Sequence, residues 1–254
     1  MPRARATEKR KTDRLNPRLI ELREPFDRSA RRPPGILSCL GKRDLSLVMS
    51  RARRLTLAPK QVLFFQGEPH RAIYIIESGM VRTYYTSIAG REITLAYWQP
   101  GDFVGGPDVF GESLHMWSGT AVRSTKVIEL LGTDLRKLVK KIPDLAVGLL
   151  EALVYKGKCF SSLIQLLGTR SISERLSQLL LALSANYGVP VEGGVAIRAQ
   201  LTHEDLAHMV GASRQWVTTT LDRLQRQDIV HIRKRQVIIR RPEKLTAFGS
   251  FDAR

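Results

Sequence analysis

Residues 201–219, which read LTHEDLAHMVGASRQWVTT, decide the fold of the C-terminal part of this chain. Thr202 is expected to be an N-cap that accepts from the Asp205 amide, and the helix that it begins is expected to end at Gly211. Ser213 predicts the N-cap of a second helix. Two short helices joined by a glycine-containing turn are typical of a helix-turn-helix. The apolar residues expected where the two helices meet are Leu206, Val210, Val217, Leu221 and Leu224.

A β-hairpin wing is predicted after the second helix, from apolar runs at 229–232 and 237–239 around a basic tip. An arginine such as Arg214 can pair with guanine and a glutamine such as Gln215 with adenine, whereas wing cations neutralise phosphates without reading sequence. Arg240 and Arg241 lie close enough in sequence to assist the wing. The residues predicted to contact DNA are Thr202, Ser213, Arg214, Gln215, Thr218, Thr219, Arg233, Lys234 and Arg235.

The N-terminal half reads as short β-strands between residues 55 and 131, separated by turns that contain glycine or proline. Examples are 62–65, 73–76, 81–86, 93–98 and 125–131. Strands at such close spacing indicate a barrel or a jelly roll.

A long helix is predicted from Pro143 to about residue 167, with two adjacent apolar stripes. One stripe can pack on the β domain while the other meets a second copy of the chain. Burial of the whole helix within one monomer remains the alternative. The residues assigned to the dimer contact are Leu145, Leu149, Ala152, Cys159, Leu163 and Leu166. A capping box at residues 171–174 then predicts another helix, and 189–198 predicts a hairpin.

The chain is strongly basic, with a formal net charge of +17 over 254 residues. Such a charge favours polyanionic partners, and part of it lies in a tail at residues 1–35 that we expect to be disordered. The 2 cysteines, Cys39 and Cys159, form no C-x-x-C pair, which argues against a zinc ribbon, an iron–sulfur cluster and a disulfide framework. With no apolar run long enough for a membrane span and no secretory signal, the expected location is the cytoplasm.

These segments together resemble the Crp/Fnr family of regulators over residues 36–245. The sensor half carries FQGE at 65–68, IYIIESG at 73–79 and GDFVG at 101–105, and the DNA half carries G-x-S-R-x-x-V at 211–217. The resemblance implies an α+β fold, made of an N-terminal double-stranded β-helix (jelly roll), a long dimerisation helix and a C-terminal winged helix-turn-helix. It also implies a homodimer on an inverted repeat of bent double-stranded DNA, and RNA polymerase as a partner if the protein activates. The expected divisions are 1–35 basic tail, 36–132 cyclic-nucleotide-binding-like sensor, 133–168 linker and dimerisation helix, and 169–254 DNA-binding domain.

The sensor departs from the family pattern where a cyclic nucleotide binds. Members that bind one place a glutamate after the last glycine of G-D-F-x-G and an arginine soon beyond. Here Gly106 follows Gly105, and the later segment 115–121 contains no arginine. We therefore expect little or no cyclic AMP binding; a protein that does respond to cyclic AMP or cyclic GMP is the alternative. The predicted effector pocket comprises Gly101, Phe103, Gly105, Gly106, Ser118 and Thr120. No cofactor or metal site is predicted, the effector is unidentified, and His70 and His115 are expected at the surface.

Two other classes of protein are compatible with a β-roll. In a regulatory subunit or channel module, the roll would control an attached protein instead of DNA, but the helix-turn-helix disfavours this. A cupin-type enzyme needs several histidines and a carboxylate in an H-x-H…E…H arrangement, which is absent. No P-loop, H-E-x-x-H or Ser/His/Asp signal suggests catalysis, so we do not expect an enzyme.

Overall fold

The computed structural model describes residues 33–197, 201–233 and 236–251. The expected basic tail lies outside the described residues except for 33–35. Within the described ranges, no helix is both long enough and apolar enough to cross a membrane.

The sensor half is built from two four-stranded antiparallel sheets that face each other. Their orders are β1-β8-β3-β6 and β2-β7-β4-β5, and this paired arrangement confirms the predicted β-roll. The strands are β1 (Arg53–Leu57), β2 (Val62–Phe64), β3 (Ala72–Ser78), β4 (Val81–Thr86), β5 (Glu92–Trp98), β6 (Phe103–Val104), β7 (Ser118–Ala121) and β8 (Thr125–Leu131).

A bulge interrupts the pairing of β4 with β5. Thr83 pairs with Ala96, but Tyr84 pairs with Thr94, so Leu95 has no partner across the ladder. A residue inserted in this way shifts the alternation of inward and outward side chains. This explains why the apolar pattern at residues 93–98 is irregular in the sequence.

Three helices pack on the first sheet: α1 (Lys42–Met49), α2 (Gly132–Val139) and α3 (Pro143–Thr169). Their shared core includes Val48, Leu135, Leu138 and Leu145, all 1% exposed or less. The 27 residues of α3 extend over about 40 Å, at roughly 1.5 Å per residue. The length of α3 agrees with the predicted long helix.

The predicted contact face of α3 is wrong. Leu145, Leu149, Ala152 and Leu166 are buried within their own chain, and Cys159 and Leu163 are half-buried. Leu145, Leu149 and Ala152 belong to the core between the helices and the first sheet, where burial of their apolar surface stabilises the fold. The exposed apolar residues of α3 are Val147, Leu150, Val154 and Ile164, between 52% and 70% exposed.

The DNA-binding half combines four helices with a second β region. Its elements are α4 (Ile172–Tyr187), β9 (Gly188–Val191), β10 (Gly194–Ile197), α5 (His203–Val210), α6 (Arg214–Arg226), β11 (Val230–Arg233), β12 (Gln236–Ile239) and α7 (Pro242–Phe251). The two predicted hairpins join in one antiparallel sheet, with the order β11-β12-β10-β9. No local pattern predicts this joining, since it depends on the pairing of Val195 with Ile239.

Helices α1, α2 and α7 were not predicted. α7 packs on α4 and buries Leu245 completely, while Arg223 stacks on the ring of Phe248 at 4.5 Å. Each of these helices is short. The apolar pattern of a short helix is a weak signal in the sequence, because most of its stability comes from packing against the rest of the protein.

Candidate nucleic-acid interface and sensor site

The first helix of the motif, α5, begins and ends as its sequence predicts. Thr202 accepts a hydrogen bond from the Asp205 amide at 3.1 Å, and Asp205 accepts one from the Thr202 amide at 2.9 Å. At the other end Gly211 has φ +67° and ψ +43°, a left-handed conformation that favours glycine. The Thr202 hydroxyl is therefore primarily a helix cap.

The second helix, α6, presents its first turn to solvent. Ser213 caps it by accepting from the Trp216 amide at 3.1 Å, and Arg214 and Gln215 are exposed. Thr219 is exposed one turn further along. Opposite this face, the predicted contact residues Leu206, Val210, Val217, Leu221 and Leu224 are all 1% exposed or less. The helix is thus anchored on one side and free on the side that carries the polar residues.

Thr218 differs from its predicted neighbours because its hydroxyl already has partners. It donates to the Arg214 carbonyl at 3.0 Å and lies 2.8 Å from Nδ1 of His203. This contact joins α5 to the start of α6. The side chain therefore helps to set the angle between the two helices.

The wing hairpin is formed by β11 and β12, with Arg233 exposed at its end. The predicted tip residues Lys234 and Arg235 lie outside the described residues. Arg240 and Arg241 both form ion pairs with Asp228, the latter at 2.9 Å, so these two cations are partly neutralised within the chain. Asp228 has φ +57° in the turn before β11, and its carboxylate fixes the base of the wing.

The residues predicted for the effector pocket do not form one site. Gly101 packs against Gly35, where a methyl group would lie 2.8 to 2.9 Å from the backbone. Ser118 accepts from the Gln66 amide at 3.0 Å, whereas Thr120 faces the DNA-binding half. Phe103 belongs to the core between the first sheet and the helices, with Ile75 and Val48, whereas Gly105 and Gly106 are buried beside His70.

The expectation that His70 and His115 lie at the surface is wrong. They are 2% and 4% exposed, and their rings meet at right angles with centroids 4.6 Å apart. Phe64 stacks on His115 at 4.3 Å, so three rings fill the roll beside Gly106. Burial lowers the pKa of both histidines, that of His115 to about 4 with a further contribution from His70, although Asp108 opposes the shift at His70. Both imidazoles are neutral at pH 7.

A buried lysine lies where α3 packs against the roll. Lys156 of α3 is 8% exposed, and its Nζ lies 3.4 Å from the ring centroid of Trp98 and 4.5 Å from that of Phe103. Burial lowers the pKa of its amine to about 7, against an opposing effect of Asp102. A lysine in an apolar stripe gave no signal in the sequence, because long charged side chains usually reach solvent.

The two halves of the chain meet where α5 lies on β5. Arg82 forms an ion pair with Glu92 at 2.8 Å, and Glu92 lies 3.8 Å from Nδ1 of His208 at the end of α5. Tyr97 packs on the core of the DNA-binding half, and its burial raises its pKa to about 12. A cavity of about 360 Å³ remains beside these contacts, lined in part by Tyr84, Thr120 and Met209. Sensor and DNA-binding half are thus in direct contact.

Metal-binding chemistry is limited in the part of the chain that the structure describes. No group of three or more histidine, cysteine, aspartate or glutamate side chains is placed to enclose an ion. Cys39 is exposed and Cys159 half-buried, and they form no disulfide.

Comparison with known proteins supports both halves of this description. Residues 54–142 match the family model of the cyclic nucleotide-binding domain, and residues 174–248 match that of the Crp-like helix-turn-helix domain. The chain is 27% identical over 212 residues to the cyclic AMP receptor protein of Thermus thermophilus, covering 83% of this chain and 95% of that protein. It is 26% identical over 183 residues to a CRP-like cAMP-activated global transcriptional regulator of Mycobacterium tuberculosis, covering 72% and 82%.

A solved structure shows the same fold at lower identity. The c-di-GMP responsive global regulator CLP of Xanthomonas campestris superposes with a TM-score of 0.69 at 21% identity, covering 78% of this chain and 99% of that one. In this chain the cyclic nucleotide-binding domain precedes the helix-turn-helix domain, and the long helix α3 lies between them. The chain therefore belongs to the Crp/Fnr family of transcription regulators.

Proposed function

We propose that this protein is a homodimeric regulator that binds an inverted repeat in double-stranded DNA and reads its sequence with the first turn of α6. The observation that carries the proposal is the exposure of Arg214, Gln215 and Thr219 on a helix whose opposite face is buried. A helix held in this way can enter the major groove, where arginine and glutamine discriminate base pairs. Arg233 and the wing would then meet the phosphates.

The homodimer is supported by the exposed face of α3. Val147, Leu150, Val154 and Ile164 belong to one series at alternating spacings of three and four residues, which Gly157, Ser161 and Gly168 complete. This is the heptad spacing of a coiled-coil seam, and small residues in it let two backbones approach closely. Large apolar side chains left exposed along a helix favour a partner helix. A second copy offers the same face by symmetry.

Cyclic AMP is not the effector in this proposal, although two of the relatives are named for it. Gly106 has no side chain to hold a ribose, and the neighbouring space is filled by the rings of Phe64, His70 and His115. The buried amine of Lys156, on α3, lies against Trp98. Calorimetric titration with cyclic AMP should give no binding at micromolar concentrations; a saturable isotherm would contradict this part.

The experiment that tests the function is selection of bound fragments from random duplex DNA by the full chain. We expect enrichment of an inverted repeat whose half-sites lie about one DNA turn apart, roughly 34 Å centre to centre. Enrichment of a single half-site would contradict the dimer. Uniform retention of all fragments at moderate salt would contradict sequence-specific binding altogether.

Replacement of Arg214 distinguishes a contact with a DNA base from a contact with the phosphate backbone. Arg214→Ala should reduce affinity for the selected site by about 1–3 kcal/mol and relax the preference at one base pair of each half-site. The matched control is Arg43→Ala, an exposed arginine in α1 of the sensor half, which should leave the preference unchanged. Fluorescence anisotropy with the selected duplex and with single-base variants measures both effects. A loss that is equal for every sequence would place Arg214 on a phosphate instead.

A further inference from the structure

Two buried imidazoles in the sensor have ring nitrogens without partners. Among the described residues, both nitrogens of His70 and Nδ1 of His115 have no hydrogen-bond partner. The two side chains are buried, with exposed fractions of 2% and 4%. Buried polar atoms in proteins are nearly always satisfied, because desolvation without a partner costs free energy. Two such groups side by side therefore call for a ligand between them.

The unpartnered nitrogens face one small space. A methyl group built on Gly106 would lie 3.6 Å from Nε2 of His70 and 4.0 Å from Nδ1 of His115. Gly106 has φ +136°, a conformation that residues with side chains rarely adopt. The backbone thus keeps clear the point toward which both nitrogens are directed.

The ring nitrogen of His115 other than Nδ1 forms a hydrogen bond, and this bond sets the orientation of the ring. The ring donates a hydrogen bond to the Gly105 backbone, and Phe64 stacks on it with the two planes 16° apart. Histidine ligands of metal ions typically donate their other N–H to a carbonyl or a carboxylate in this way, because that bond sets tautomer and orientation. The lone pair of Nδ1 is therefore left available.

We propose that His70 and His115 bind one transition-metal ion of the class that prefers imidazole, such as Zn²⁺, Ni²⁺ or Cu²⁺, at the space above Gly106. Two imidazole nitrogens are the ligands from the chain, and water or a small anion completes the coordination shell. First-row ions from nickel to zinc favour such nitrogen donors, whereas Mg²⁺ and Ca²⁺ favour oxygen.

The carboxylates near the two histidines favour the binding of a cation. Asp108 interacts with His70 and Glu68 with His115, and both carboxylates favour positive charge. Asp108 accepts hydrogen bonds from the amides of Phe110 and Glu112, which places it beside the pair without making it a third ligand. An ion at this site would be enclosed by the roll and not displayed on its surface.

The test uses the full chain without a histidine tag, stripped of metal by a chelator. Calorimetric titration with Zn²⁺ should give one ion per chain, and His70→Gln and His115→Gln should each weaken binding at least about tenfold. The matched control is His231→Gln, an exposed histidine of the wing, which should bind as the parent does. Circular dichroism and thermal melting check that each variant is folded. Equal affinity in the parent and in either His70→Gln or His115→Gln overturns the proposal.

A measurement on the unaltered chain keeps the test decisive if the variants fail to fold. X-ray absorption of the zinc-loaded parent should show two imidazole nitrogens at about 2.0–2.1 Å from the metal. A shell of oxygen alone, a shell containing sulfur, or the absence of saturable binding overturns the proposal. None of these outcomes affects the DNA-binding proposal, which rests on α6 and is tested by selection of duplexes.

Discussion

Single residues in and against the β-roll carry more polar chemistry than their neighbours in sequence suggest. Lys156 lies over the ring of Trp98, and His115 packs against both Phe64 and His70. Burial disfavours the charged form and therefore lowers the pKa of each of these three side chains. The two imidazoles are held neutral, and the amine of Lys156 is close to losing its charge. The interior of the sensor is therefore sensitive to pH at particular side chains.

The stability of the protein should depend on the protonation of Lys156. The amine of Lys156 has a pKa of about 7 in the folded chain and 10.5 in the unfolded reference. Between these values the unfolded chain binds more protons, so the free energy of unfolding rises with pH by up to about 1.4 kcal/mol per unit. Below pH 7 both states are charged and this contribution is constant.

Lys156→Met should remove that rise from the pH profile and stabilise the protein at pH 6 to 7. Urea unfolding at fixed protein concentration, from pH 6 to 9.5, measures the free energy. Lys158→Met is the matched control, since Lys158 is an exposed lysine of the same helix and its loss should leave the profile parallel to the parent. Parallel profiles for Lys156→Met and the parent would show that the buried amine keeps its proton.

Elements acquire their roles from the surfaces against which they pack. α3 has apolar residues around most of its circumference, and the roll covers the face that contains Leu145 and Leu149. What remains exposed is the series that includes Leu150 and Ile164. α6 shows the same division between an anchored and a free face, with Val217 buried and Gln215 exposed.

Charge introduced on the exposed face of α3 should break the proposed dimer. Leu150→Glu and Ile164→Glu each place a carboxylate in the seam, where like charges from the two chains would lie close together and lose water. Sedimentation velocity should show monomers at concentrations where the parent is dimeric, and affinity for the inverted repeat should fall. Ile88→Glu is the control, because Ile88 is fully exposed in the turn between β4 and β5. An unchanged dimer in both α3 variants would place the interface elsewhere.

The whole molecule is one unit in which the sensor touches the DNA-binding half directly. Tyr97 enters the core of the DNA-binding half, and the ion pair of Arg82 with Glu92 extends toward His208. These contacts lie on β4, β5 and α5, far from the two ends of the chain. Folding of one half should therefore support the other.

Tyr97→Ala should uncouple the two halves. Loss of a ring that packs across the contact should cost about 2–3 kcal/mol, below the range for a fully buried aromatic because Tyr97 is half-buried. Calorimetry should then show two thermal transitions where the parent shows one. Tyr85→Ala is the matched control, since that tyrosine is 41% exposed on β4 and should leave a single transition. A single transition in Tyr97→Ala as well would mean that the ring of Tyr97 is not needed to couple the two halves.

Local patterns in the sequence were sufficient for the order and type of the main elements. The caps at Thr202, Ser171 and Ser213, the turn at Gly211 and the extent of α3 all agree with the structure. Hydrogen bonds of a cap span three residues, and helical periodicity repeats within one turn, so neighbouring residues carry the whole signal. For the same reason the exposed first turn of α6 was predictable.

Only the tertiary structure decided which face of α3 is covered and which side chains meet inside the roll. His70 and His115 are 45 residues apart, and their burial depends on antiparallel contacts such as His70 N–H to the Ser113 carbonyl at 2.8 Å. Burial, pKa and the convergence of two nitrogens on Gly106 are properties of packing between distant segments. No local pattern contains them, because each segment by itself would leave these side chains in water.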